Sequence, residues 1–206
     1  MINSPSINHT STSTQVKAML AGGLVLGIGA AVTLAAWNDS EFATGIFTSG
    51  HFEMEGSTDG TAFSINDSAP GLGLTFSLGF DNLAADETVS ALWALRLDST
   101  TNYDAEVTIN SATATGAAAS ELSYGIVEVP SAAACTPTAT GTQVVPAGTA
   151  LGATAGSTVI TLDRSTSLGT LGGVPAFLCV QVTASPDLAQ SSTATGVWEF
   201  VATALP

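Results

Sequence analysis

Two periodicities divide the chain. The residues AMLAGGLVLGIGAAVTLAA, from Ala18 to Ala36, form one apolar run that stops at Trp37-Asn38-Asp39. A run of this length predicts an apolar helix able to reach across a bilayer. Every later stretch either alternates or forms a short apolar block between turn residues, which is the pattern of strands. His51-Phe52-Glu53-Met54-Glu55 alternates polar with apolar, and Asp59-Gly60 follows as a hairpin signal. Residues 61–66 read as a second short strand. After the break at Pro70-Gly71, Leu72, Leu74, Phe76, Leu78 and Phe80 alternate with small residues. Strands are expected at 89–97, 103–109, 122–129, 159–162, 176–183 and 195–202, with Tyr103, Ala105, Val107 and Ile109 on one face. Residues 111–120 and 130–158, rich in Ala, Thr, Gly and Pro, are expected as loops. Many short strands and no helix after the apolar run predict an all-β fold, an antiparallel β-sandwich. Trp93 and Trp198 fall within strands and are expected in its core.

The organisation that follows has four parts. Residues 1–17 are a polar leader, and 18–36 are the apolar core of a signal peptide covering 1–36. Residues 37–50 form an extended N-terminal segment, and 51–206 form the sandwich domain. Small residues at the end of the apolar run suit a signal peptidase. Cleavage is expected at Ala36-Trp37, with Ala35 as the alternative last residue of the signal. Past that point Arg96 and Arg164 stand against 17 carboxylates, a formal charge of 2 − 17 = −15. Such a chain has no basic patch for nucleic acid, and its subunits repel one another unless salt or acid weakens the charge. The two cysteines, Cys135 and Cys179, are expected to form a disulfide in an oxidising compartment.

Candidate chemistry is sparse. His9 and His51 are the two histidines. HExxH and the phosphate-binding and nucleophile-elbow glycine motifs do not occur. His51, Glu53 and Glu55 would share one face of a strand and are the metal or proton-site candidates. Asp98, Asp104 and Glu106 flank a turn and are candidates for Ca²⁺. For both groups, solvated surface carboxylates are the simpler expectation, so no catalytic residue, cofactor or metal is assigned.

The junction carries a resemblance. Ala35-Ala36 followed by Trp37-Asn38-Asp39, and then Phe47-Thr48-Ser49-Gly50 leading into a strand, resembles the TasA/camelysin family of exported proteins. Leu83-Ala84-Ala85-Asp86-Glu87-Thr88-Val89 stands where that family has a Leu-x-Pro-Gly-Asp-x-Val turn, here without the Pro-Gly. The resemblance implies a jelly-roll sandwich and export through a SipW-type signal peptidase. It also implies a secreted or surface-bound structural subunit that forms biofilm-matrix fibres by donating its N-terminal strand to a neighbouring copy. Trp37, Phe42 and Ile46 are the expected assembly residues, with Phe42, Thr44 and Ile46 on one face of an extended segment. Two other functions are weighed beside it. One is a camelysin-like surface metalloendopeptidase, for which the chain carries no common zinc motif. The other is a monomeric adhesin or ligand-binding sandwich.

Overall fold

The computed structural model describes residue 17, residues 44–45, residues 49–77 and residues 82–205. The chain divides into two compact units, Met1–Thr48 and Ser49–Pro206. The apolar run, the cleavage residues Ala35, Ala36 and Trp37, and the segment residues Phe42 and Ile46 lie outside the described residues.

Among the described residues eight strands lie in the second unit: β1 (Met54–Ser57), β2 (Thr88–Leu97), β3 (Asp104–Thr115), β4 (Leu122–Val129), β5 (Thr142–Ala150), β6 (Ile160–Leu162), β7 (Ala176–Ala184) and β8 (Thr195–Leu205). They form two antiparallel sheets, one ordered β1-β2-β7-β4-β5 and one ordered β6-β3-β8. Alternation sets which residues face inward. Leu95 and Leu97 of β2, Ala105 and Val107 of β3, Ile126 of β4 and Leu178 of β7 are fully buried in one shared core. Each large side chain among them is stabilised by about 2 kcal/mol relative to exposure.

The order β2-β7-β4-β5 facing β6-β3-β8 is that of an eight-stranded jelly roll in all but one place. In the complete arrangement the first strand flanks the eighth. Here β1 instead pairs along the outer edge of β2, from Met54↔Leu97 to Ser57↔Ala94. Gly56 permits this move, because a Cβ there would lie 2.3 Å from the Trp93 indole. Trp93 is partly buried against the core, 6.2 Å from the Phe200 ring. Its indole N–H is buried without a hydrogen-bond partner among the described residues.

The expected disulfide is present, joining Cys135 to Cys179. Cys179 and Gln181 lie on the outer face of β7. The Gln181 amide donates to the carbonyls of Thr136, Pro137 and Ala139 at 3.2, 3.0 and 3.1 Å. The bridge and this amide together hold the 131–139 excursion over the outer face, so that Cys179 is fully buried on a side that would otherwise be wet. Closing the loop contributes about 4 kcal/mol by the chain-entropy account.

Several expected boundaries shift, each for a local reason. β1 begins at Met54 rather than residue 51; at Glu53 the buried Thr101 hydroxyl bonds both backbone groups, and the carbonyl also accepts from Asp98 N–H at 3.0 Å. The hydroxyl accepts from the N–H at 2.9 Å and donates to the carbonyl at 3.0 Å. Residues 61–66 make only the bridge Gly56↔Ser64. Asp59 turns the chain there by accepting from Thr61 N–H at 2.7 Å and Ala62 N–H at 2.8 Å. Residues 72–77 form no ladder among the described residues, although Leu74 and Phe76 pack on the core. β3 runs on to Thr115, where a loop was expected, because Ser111 to Thr115 pair with Glu199 to Thr195. β5 occupies part of the expected 130–158 excursion despite Pro146. It is an edge strand with two register shifts, and such places tolerate proline.

Candidate functional site: the edge of the three-stranded sheet

β8 is the feature these shifts leave exposed. It is 11 residues long, pairs with β3 on one side, and has no strand on the other among the described residues. Its inward residues Trp198, Phe200 and Ala202 are only partly buried, whereas Ala105, Val107 and Ile109 on the adjoining strand are buried. The difference is that of a core open along one side. Trp198 packs against Tyr124 with the rings tilted by 52° and their centroids 5.3 Å apart. Tyr124 is itself buried and donates its hydroxyl to the Ala153 carbonyl at 2.6 Å; burial raises its pKa above the usual phenol value. On the outward face Val201 and Leu205 are exposed. Glu199 accepts from the Asn110 amide at 2.7 Å and the Ser111 hydroxyl at 3.0 Å, and these donors hold its carboxyl below the usual range. That pair spans the register shift between Ile109 and Ser111 and fixes β8 against β3. The edge therefore offers a row of backbone donors and acceptors beside a half-covered apolar stripe, which is what an added strand needs.

The chain enters the domain at a defined place. Gly50 packs against the Tyr103 ring, and a Cβ there would lie 2.9 Å from Tyr103 Cε2. Any larger residue would displace the ring, so the glycine of Phe47-Thr48-Ser49-Gly50 has a packing reason. His51 is fixed by its backbone, its N–H donating to Asn102 Oδ1 at 3.0 Å and its carbonyl accepting from Asn102 N–H at 3.1 Å.

The expected chemistry residues separate. His51 Nε2 lies 3.3 Å from Glu53 and 3.8 Å from Asp98. Glu55 is taken by Arg96, with guanidinium-to-carboxylate distances of 2.7 and 2.8 Å, and Arg96 also lies over the Phe63 ring at 4.1 Å. Three residues expected on one strand face therefore do two different jobs, because only Glu55 lies on a strand. Asp98 is capped by the hydroxyl and N–H of Thr100, which hold its carboxyl below the usual range. Asp104 accepts instead from the Arg164 N–H at 2.9 Å. Glu106 is exposed on β3 between Thr161 and Thr203. Among the described residues no group of three or more His, Cys, Asp or Glu side chains is placed to hold a metal ion. Trp93 and Trp198 do join the core as expected, though at its open margin.

The open β8 edge was missed from sequence because pairing partners are non-local. The one signal for it was the inward series Trp198, Phe200, Ala202 and Ala204 near the end of the chain. The class defined by this fold and site is an antiparallel jelly-roll-like sandwich in which one long edge strand has a free side among the described residues. No family model and no curated protein matches the chain.

Proposed function

We propose that the protein is an exported structural subunit that polymerises outside the cell, each copy adding residues 37–50 as a strand to the β8 edge of the next. The observation that carries this reading is the displaced first strand. β1 flanks β2 instead of β8, so among the described residues the small sheet has no strand in the place that completes a jelly roll. The N-terminal segment has the alternation to replace it, with Phe42, Thr44 and Ile46 on one face. An extended strand on this edge gains ladder hydrogen bonds and buries its apolar face beside Trp198 and Phe200. Because the donor segment and the acceptor edge are different surfaces, repetition gives an open filament rather than a closed dimer. Removal of the signal at Ala36-Trp37 would release the segment, which makes cleavage the switch. The resemblance to the TasA/camelysin family supports the same reading.

The test compares the secreted chain with a truncated form starting at Ser49. Negative-stain microscopy is expected to show filaments only for the secreted chain, with circular dichroism of both showing the same β fold. The double substitution Phe42→Asp/Ile46→Asp is expected to block filaments as well, by placing charges where apolar groups belong. Filaments from the truncated form would rule out donation by this segment.

A further inference from the structure

The direction of strand addition has a consequence at the far end of β8. Every strand pair in the domain is antiparallel. A strand added antiparallel to β8 has its N-terminus beside Leu205. Residues 37–50 extend to about 46 Å, and an 11-residue β8 to about 36 Å. The excess is about 10 Å, the length of three residues, so Trp37-Asn38-Asp39 projects past Leu205 and Ser40-Glu41 lies beside it.

What lies at that end is distinctive. Leu205 pairs with Asp104, whose carboxylate accepts the Arg164 N–H at 2.9 Å. Arg164 opens the loop between β6 and β7, and this loop crosses the same end of the sandwich: Gly169 N–H donates to the Ser99 carbonyl and Gly173 N–H to the Leu97 carbonyl. Leu168, Leu171 and Val174 stand on it 51, 65 and 74 % exposed. No charged residue occurs from 165 to 186 in a chain of formal charge −14. The Arg164 guanidinium donates to the Asn102 carbonyl at 2.7 Å and makes no ion pair among the described residues, whereas Arg96 is bound to Glu55. A groove of about 320 Å³ is lined by Asp163, Arg164, Ser167, Leu171 and Val174.

We infer that this loop is the seat for the head of the N-terminal segment, residues 37–41, of a second copy. The inference rests on the strand-addition reading above. The head carries two carboxylates, Asp39 and Glu41, no cation, and an aromatic terminus. The seat carries a guanidinium that bonds a carbonyl and no carboxylate, the neighbouring Asp163, and three exposed apolar side chains. Trp37 enters the groove over Leu171 and Val174, and Asp39 or Glu41 faces Arg164. The apolar contact of Trp37 with Leu171 and Val174, with one carboxylate of the head on Arg164, fixes both the direction and the register of the added strand.

A synthetic peptide of residues 37–50 is titrated into the full secreted chain, held below its assembly concentration and followed by nuclear magnetic resonance. Shifts are expected at Arg164, Leu168, Leu171 and Val174 as well as along β8. Arg164→Glu should weaken the peptide about fivefold, and a peptide carrying Asp39→Lys and Glu41→Lys should regain that loss on the Arg164→Glu protein. Leu171→Ser/Val174→Ser, at exposed positions that leave the core intact, should weaken the unaltered peptide without changing the fold. Equal binding to wild type and Arg164→Glu, no rescue by the swapped charges, shifts confined to β8, or no binding at all would each overturn the seat. Charge-swap rescue in a protein that never forms filaments would keep the seat and reject the fibre reading. Filaments unaffected by Arg164→Glu would do the reverse.

Discussion

The two long edge strands of this sandwich are treated in opposite ways. β5 closes the five-stranded sheet with Pro146 in its middle, Gly148 at φ 83° and two register shifts against β4. Each of these makes it a poor template for a further strand. The edge strands β1 and β6 have only 4 and 3 residues, which protects them by shortness. β8 has 11 residues, no proline and no lysine, and meets β3 in regular register on both sides of one shift. Among the described residues three edges are blunted and one is not.

Guarding β8 artificially should give the largest effect. Ala202→Lys puts an inward-pointing cation on the open margin. In the free subunit the long stem can carry the ammonium out past the edge. With a strand in place the same charge would be buried. The expected outcome is a folded, disulfide-bonded monomer that forms no filaments, checked by light scattering and microscopy. Filaments at the wild-type level would show that β8 is not the acceptor.

The asymmetry of the two sheets should also appear in stability. Leu178, in the middle of the large sheet, is fully buried, while Phe200 is partly covered. Leu178→Ala should cost about 3 kcal/mol in the monomer. Phe200→Ala removes a larger side chain but should cost less, about 1–2 kcal/mol, because water already reaches it. Urea denaturation of monomeric protein measures both. In filaments the order should narrow or invert, since an added strand covers Phe200. An unchanged ratio in the two states would place the assembly contact elsewhere.

These contrasts were only partly legible in the sequence. Alternation located β2, β4, β7 and β8, because their inward residues must recur every second position over a shared core. The disulfide followed from two cysteines in one domain. The pattern at Leu72, Leu74 and Phe76 is as regular, yet residues 72–77 form no strand; alternation reports burial of one face, and Leu74 and Phe76 do pack on the core. β5 was hidden by Pro146, which is tolerated only because that strand lies at an edge, a fact of topology. His51, Glu53 and Glu55 have the spacing of a shared face, but Thr101 takes the backbone of Glu53 and Arg96 takes Glu55. Arg164 counted in sequence only as one of two cations past the junction, because the Asn102 carbonyl it bonds is brought to it by the fold.

The smallest effect concerns how β8 is held rather than what it accepts. Glu199 is exposed, and its carboxyl lies below the ordinary range because Asn110 and Ser111 donate to it. A carboxyl with a folded-state pKa below its unfolded value stabilises the fold above the unfolded pKa, near about 4.3 for Glu, and loses that contribution as pH falls through the folded value. The tie between β8 and the register shift of β3 should therefore weaken below about pH 4, while the buried ladders of β2, β7 and β4 keep their protection. Hydrogen exchange of the monomer at pH 6 and pH 3 should show β8 amides gaining exchange, after correction for intrinsic rates, more than β7 amides. Glu199→Gln should remove most of that extra acid sensitivity, because an amide still accepts from Asn110 but no longer titrates. If the substituted protein keeps the wild-type difference between the two pH values, the acid response of the open edge arises from another carboxylate.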